Sequence, residues 1–162
     1  MKKEKVIPIL FDTYIAFIKN SMGSKIFRNF YAEVNGKRTD ILKNGILSCA
    51  CFVSSLLYLF KLIKDAHATV EGTIRDLQQS GWKSAKGGSA SGGKKPKIGS
   101  IIVWEKNHNS HKHIGFYVGN NKAISTSSKN GQPVIHHWTY GVKKNRPVRK
   151  VEAIFWNKKL QP

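Results

Sequence analysis

An α+β domain is predicted by three features of the chain. Apolar spacing of helical period is confined to residues 9–80, strand-like runs are confined to residues 100–156, and a small, basic, aperiodic stretch at 83–97 separates them. Helices followed by antiparallel strands bury their apolar faces by packing the helices on one side of a small sheet. At 162 residues the chain has the length of a single domain, 1–162, and can bury a sizeable core. It contains no evident internal repeat.

Leu10, Tyr14, Ile15, Phe17 and Ile18 recur at helical spacing, as do Ile26, Phe27 and Phe30 after the Met22-Gly23 break. Two short helices are expected there. Asn35-Gly36 is a strong hairpin signal and closes a 1–44 unit of N-terminal helices and hairpin. Ile46 to Phe60 carries no charged residue. At about 1.5 Å per residue it reaches roughly 22 Å, short of the roughly 30 Å hydrocarbon core of a bilayer, so a buried helix is expected rather than a membrane span. Ser48 is a suitable N-cap and the helix should run to about Ile63. Thr69 is a second N-cap, followed by Val70, Ile74 and Leu77 on one face and stopped at Gly81. Residues 83–97 read as a flexible loop, either a natural insertion or a linker. Strands are expected at Ser100 to Glu105, His113 to Gly119, Lys122 to Thr126, Pro133 to Trp138 and Val151 to Trp156, with Gly119-Asn120-Asn121 as the turn after the second.

Twenty-eight Lys and Arg face 9 Asp and Glu, for a net charge of +19. That excess predicts attraction to a polyanion, with nucleic acid, anionic membrane or bacterial wall polymer as the candidates; nucleic acid ranks last because no basic–aromatic motif of an RNA-binding module is present. The two cysteines, Cys49 and Cys51, sit two apart on one helix and diverge by about 200°, so they are not expected to bridge. The basic start followed by an interrupted apolar stretch lacks a cleavage pattern, which predicts a cytoplasmic protein unless another export route serves it. A monomer is expected.

Cys49 is the most chemically loaded residue. At the first turn of its helix it lies near roughly half a positive charge, which favours thiolate over thiol, and only the thiolate attacks. His113 heads the apolar strand His113-Ile-Gly-Phe-Tyr-Val-Gly119, where an imidazole could meet that thiol at a helix–sheet junction. The competing reading of Cys49 is a buried core cysteine, and of His113 a strand-edge histidine bonded to backbone. Cys51, on another face, reads as core. His108, His111 and His113 match no zinc spacing, so no metal is expected. Trp82 and Trp104 read as core, whereas Trp138 after His136-His137 could also line a groove. The run Lys143 to Lys150 reads as a solvated loop or part of a polyanion-binding face.

Three segments carry a resemblance. Ser48-Cys-Ala-Cys-Phe-Val-Ser54 is similar to the Asp-Cys-Ser-Gly-Phe-Val signature of the NlpC-type cell-wall peptidases, a permuted papain-like superfamily that includes the CHAP amidases. Pro96-Lys-Ile-Gly-Ser-Ile-Ile-Val-Trp104 resembles that family's Pro-Gly-Asp-Leu-Val-Phe strand. His113-Ile-Gly-Phe-Tyr-Val-Gly-Asn-Asn121 resembles its His-Val-Gly-Ile-Tyr-Val-Gly-Asn strand. The resemblance covers about residues 44–127 in the family's order. It implies a papain-like fold, Cys49 as nucleophile, His113 as base, no cofactor, and a third polar group on the next strand that orients the imidazole. Counting in register from His113 gives Ser125, where the family often has histidine; Thr126 and the His136-His137 pair are alternatives. Ser48, Thr126, His136 and Trp138 are the candidates for substrate contact. The function expected is amide hydrolysis in a peptidoglycan-type peptide through an acyl-enzyme. The alternative is a catalytically degenerate module of the same fold that grips an anionic partner.

Overall fold

The computed structural model describes residues 4–86, 95–106 and 111–161. They form an α+β fold with three α-helices and a mostly antiparallel sheet. Helix α1 spans Leu10–Asn20, α2 Cys49–Leu59 and α3 Val70–Gln79. A hairpin of β1, Tyr31–Val34, and β2, Lys37–Asp40, precedes α2. The main sheet contains β3 (Lys83–Lys86), β4 (Ile101–Trp104), β5 (His113–Gly119), β6 (Lys122–Ser127), β7 (Gln132–His137) and β10 (Val151–Trp156) in the order β3-β10-β4-β5-β6-β7. A two-residue-per-strand hairpin, β8 (Val142–Lys143) and β9 (Arg146–Pro147), stands apart. No helix among the described residues is long and apolar enough to cross a membrane.

Alternation along the strands divides the sheet into two faces. Ile101 and Val103 of β4, Ile114 and Phe116 of β5 and Ile124 of β6 are buried against Phe52, Val53, Leu56 and Leu57 of α2. Phe116 meets the edge of Phe52 at 5.3 Å and of Tyr14 from α1 at 5.9 Å. The opposite face buries Ile102, Trp104, Tyr117, Ala123, Trp138, Val151 and Ile154 as a second, smaller cluster. The helices thus cover one side of the sheet, as the composition of the two halves predicts.

Helix ends follow local chemistry. Thr69 caps α3, accepting a 3.1 Å bond from the Gly72 amide, and Gly81 in left-handed conformation ends it. Trp82 N–H then reaches Leu77 O and Gly81 N–H reaches Gln78 O, the two bonds of a Schellman motif. Helix α2 ends four residues short of Ile63 by the same motif, with Lys61 in the left-handed position and Leu62 N–H on Leu57 O. A lysine there gives no warning in the sequence. Only one of the two N-terminal helices forms: beyond Asn20 the chain makes turns, because Phe27 alone of its apolar trio is buried while Ile26 is 79 % exposed. Part of the expected 83–97 loop is strand β3, paired with β10 at the sheet edge from Lys83↔Trp156 to Lys86↔Ala153; residues 87–94 lie outside the described set.

The approach to α2 is tightly constrained backbone. Lys43, Asn44 and Gly45 are consecutive left-handed residues. The Asp40 carboxylate holds this bend by accepting from the amides of Phe30, Leu42 and Asn44 and from the Asn29 side chain. Those bonds, that of Asn44 foremost, lower its pKa to about 2 against the effect of desolvation. A Cβ on Gly45 would stand 2.6 Å from Gly131 Cα, whereas one on Gly36, also left-handed, would meet nothing within 4 Å. Gly36→Ala should therefore cost only the conformational term, about 1 kcal/mol. Gly45→Ala should cost about 3 kcal/mol or more in urea unfolding, because backbone must move as well. Equal losses would mean that the Gly45–Gly131 approach does not fix the entry to α2.

Candidate active site

Cys49 is the first residue of α2, so its own amide and that of Ala50 are first-turn donors with no carbonyl four residues earlier to take them. Both favour the charged form of the thiol, and a third N–H, that of Ile114 in β5, acts in the same direction. Pairing of β5 with β6 runs from Phe116↔Ile124 to Gly119↔Lys122, so the Ile114 amide lies beyond that ladder and is open to sulfur. Three backbone amides thus favour a negative charge at this sulfur. The thiol itself is protonated: with Cys49 only 8 % exposed, burial outweighs these donors and a nearby Arg149 charge and pushes it up to about 11. The thiolate expected from the helix dipole is therefore disfavoured at neutral pH.

His113 faces away from the α2 core. It pairs with Trp104, and alternation puts both on the face opposite Ile114 and Phe116. The ring is nonetheless enclosed. Trp104 forms its floor, with ring centroids 5.6 Å from His113, 5.6 Å from His136 and 5.5 Å from Tyr140. Burial, then the charge of Arg149 and the neighbouring His136, lower its pKa from 6.5 to about 3. His113 thus does not meet the thiol across the helix–sheet junction, as its place in the sequence suggested; the group of β5 that acts on the thiol is the amide of Ile114 beside it.

Ser125 is where the register count from His113 placed it. Its Oγ lies 2.9 Å from His113 Nε2, 2.8 Å from His136 Nε2 and 3.2 Å from Tyr140 Oη. A hydroxyl has one proton and two lone pairs, so these three contacts have a unique assignment. His136 Nδ1 lies 2.8 Å from the His137 carbonyl, which can only accept, so Nδ1 carries the proton. In the neutral ring, kept so by burial, Nε2 is then a bare acceptor, and the Ser125 hydroxyl must donate to it. Ser125 Oγ in turn accepts from His113 Nε2–H and from Tyr140 O–H. The consequence falls on His113: with its proton at Nε2, its Nδ1 is the free lone pair.

Tyr140 holds this network from outside. It stacks on His136 at 4.1 Å between centroids and is left-handed, with φ 60°, a conformation that costs a bulky residue on the order of 1 kcal/mol or more. The turn that imposes it is built by His137, whose Nδ1 accepts from the Thr139 and Gly141 amides and whose carbonyl accepts from the Tyr140 amide at 2.7 Å. Arg149 closes the rim, its guanidinium 5.5 Å from the Tyr140 ring. Gly115 makes the packing feasible, since a Cβ there would lie 2.6 Å from Ile124 O, 2.8 Å from Ser125 Cβ and 3.1 Å from Trp104.

The other sequence candidates are placed differently. Ser48 is fully buried; it occupies the N-cap position but donates its hydroxyl to Gly45 O at 2.8 Å and makes no cap bond. Thr126 is buried on the α2 side of β6, opposite Ser125, which removes it as the orienting group. Trp138 is buried in the second cluster, edge-on to Tyr117 at 6.1 Å, and its carbonyl accepts from Trp104 Nε1 at 2.8 Å. Neither Ser48, Thr126 nor Trp138 offers a surface for substrate, while His136 belongs to the hydrogen-bond chain. Cys51 is buried, with Ser55 as its neighbour at 3.8 Å. His111 is exposed, and His108 lies outside the described residues. Tyr140 and Arg149 were not singled out in the sequence: the first follows the strand by three residues, and the second is hidden in a run of surface cations.

Scanned against models of protein families the chain matches none, and a search of curated proteins finds no match.

Neutral burial of His113 has a measurable signature. The unfolded chain takes up a proton at this histidine below about pH 6.5, whereas the folded site refuses it down to about pH 3. Its contribution to stability is fully present above pH 6.5 and is lost as pH falls through that window. Against His113→Gln, the wild-type protein should lose relative stability steadily from pH 6.5 to 4 in urea titrations. A difference that stays constant across that range would show that the folded site accepts the proton.

Proposed function

We propose that the protein is a cysteine–histidine amide hydrolase of papain-like, NlpC-type architecture, acting on a peptidoglycan-type peptide. The observation that carries the reading is the tautomer chain, which leaves His113 Nδ1 unprotonated on the ring that neighbours the Cys49 contact at Ile114. A helix that begins at the cysteine, a histidine at the head of a later antiparallel strand and a polar partner on the next strand are also in the order that the resemblance implies.

Starting from a neutral pair, His113 Nδ1 takes the Cys49 proton as sulfur attacks the carbonyl carbon. The amides of Cys49, Ala50 and Ile114 are the donors available to the negative charge, first on sulfur and then on the tetrahedral oxygen. The imidazolium keeps its Nε2–H on Ser125 and gives its Nδ1 proton to the leaving amine, which leaves a thioester. Water, deprotonated by the same Nδ1, then releases the carboxylic acid. Serine brings no charge to stabilise the imidazolium, so the orienting role is geometric. No organic cofactor or metal takes part in these steps. The +19 charge would retain the enzyme on anionic wall polymer.

One observation favours a second reading: a thiol raised to about 11 is inert at rest, as in a module that binds wall polymer without cutting it. Release of new amino groups from purified peptidoglycan separates the two. Cys49→Ala should abolish release, and Ser125→Ala and His136→Ala should each lower the rate about tenfold, about 1.4 kcal/mol. Thr126→Ala should leave the chemical step unchanged. No release by the wild-type protein, with wall binding equal in Cys49→Ala, would establish the binding module instead.

A further inference from the structure

Arg149 is an unusual cation in so basic a chain, because it is fixed. Its Nε donates to the Glu105 carbonyl at 3.2 Å and its Nη2 to the His111 carbonyl at 3.3 Å, and the guanidinium lies 5.5 Å from the Tyr140 ring. Two of its five N–H groups are thereby used. The guanidinium also bonds the Tyr140 hydroxyl, which leaves two N–H groups without a partner among the described residues, enough to meet a carboxylate bidentately.

Its charge is also uncompensated. The two neighbouring glutamates are engaged elsewhere, Glu105 with Lys150 at 2.8 Å and Glu152 with Lys112 at 2.6 Å, and no described carboxylate pairs with Arg149. The groups within reach of its field are Cys49, His113, His136 and Tyr140, all neutral at rest. A half-buried guanidinium held by two carbonyls beside the neutral Cys49 and His113 has an anion-binding edge and, among the described residues, no anion of its own.

We infer that the free edge of Arg149 is a substrate subsite for a carboxylate, so that the peptides this site takes carry a free carboxylate group next to the amide presented to Cys49. The inference rests on the hydrolase reading for its biological meaning. It is tested by chemistry that needs no turnover, so each can fail alone.

The probes are iodoacetate and iodoacetamide, which alkylate a thiol by the same displacement: the sulfur–carbon bond forms as the carbon–iodine bond breaks, iodide leaves, and the thiol proton passes to His113 Nδ1. They differ in carrying a carboxylate or its neutral amide. Any effect of Arg149 on thiolate formation is common to both reagents and cancels in the ratio of their rates. In a Cys51→Ser background, Arg149→Gln should lower the iodoacetate-to-iodoacetamide ratio at Cys49 about tenfold. Arg149→Lys, which keeps the charge without the fork, should lower it less. Should these variants fail to fold, the parent protein still decides. N-acetylglycine should protect Cys49 from iodoacetate where N-acetylglycinamide at the same concentration does not. A rate ratio unchanged in Arg149→Gln, or equal protection by acid and amide, would overturn the subsite.

Discussion

A single hydroxyl proton, that of Ser125, organises the candidate active site. It has three polar neighbours and one hydrogen to give, and the His137 carbonyl, by fixing the proton of His136 at Nδ1, decides which neighbour receives it. Everything downstream follows from donor and acceptor counting: Ser125 donates to His136, accepts from His113, and His113 is left with a lone pair at Nδ1. A charged third residue would attract an imidazolium. A serine whose proton is already committed selects a tautomer, which suits a pair that starts neutral.

That neutral start is a matter of burial. With Cys49 buried in the α2-side core and His113 enclosed by Trp104 and Tyr140, the charged forms of both lose solvation, and their pKa values move apart, to about 11 and about 3. The proposed reaction would draw on donors already in place: the helix-start amides and the Ile114 amide outside the β5–β6 ladder. The scaffold keeps them there with strained or crowded backbone, namely the left-handed run Lys43 to Gly45 clasped by Asp40, the Gly45–Gly131 approach, and the left-handed Tyr140.

Periodicity and turn chemistry made most of the fold legible in the sequence. The Asn35-Gly36 and Asn120-Asn121 turns, the Thr69 cap, the Gly81 stop and the strands around His113 and Val151 all rest on local rules that tertiary packing left intact. What the sequence hid were features decided by contacts between distant segments. Lys61 ends α2 in a position where glycine would have announced the stop, and Ile26 has helical spacing but no surface to pack on. Strand β3 has no apolar alternation, since it forms at an edge by pairing with β10. In the site, Ser125 was reachable by counting from His113 even though the β5–β6 pairing shifts register between Tyr117 and Gly119, because both residues lie on the same face of the sheet. Arg149 was not, because composition cannot distinguish a pinned arginine from its solvated neighbours. The face taken by His113 follows from its pairing with Trp104, which requires knowing the sheet order.

The most direct test of this account is the protonation pattern of the imidazoles, read from side-chain nitrogen shifts in a long-range proton–nitrogen correlation spectrum at neutral pH. The account predicts His113 protonated at Nε2 and bare at Nδ1, with His136 the reverse. In Ser125→Ala the His113 preference should relax towards a mixture of tautomers. A proton on Nδ1 of His113 in the wild-type protein would contradict it, because that ring would have no lone pair to take the proton of Cys49.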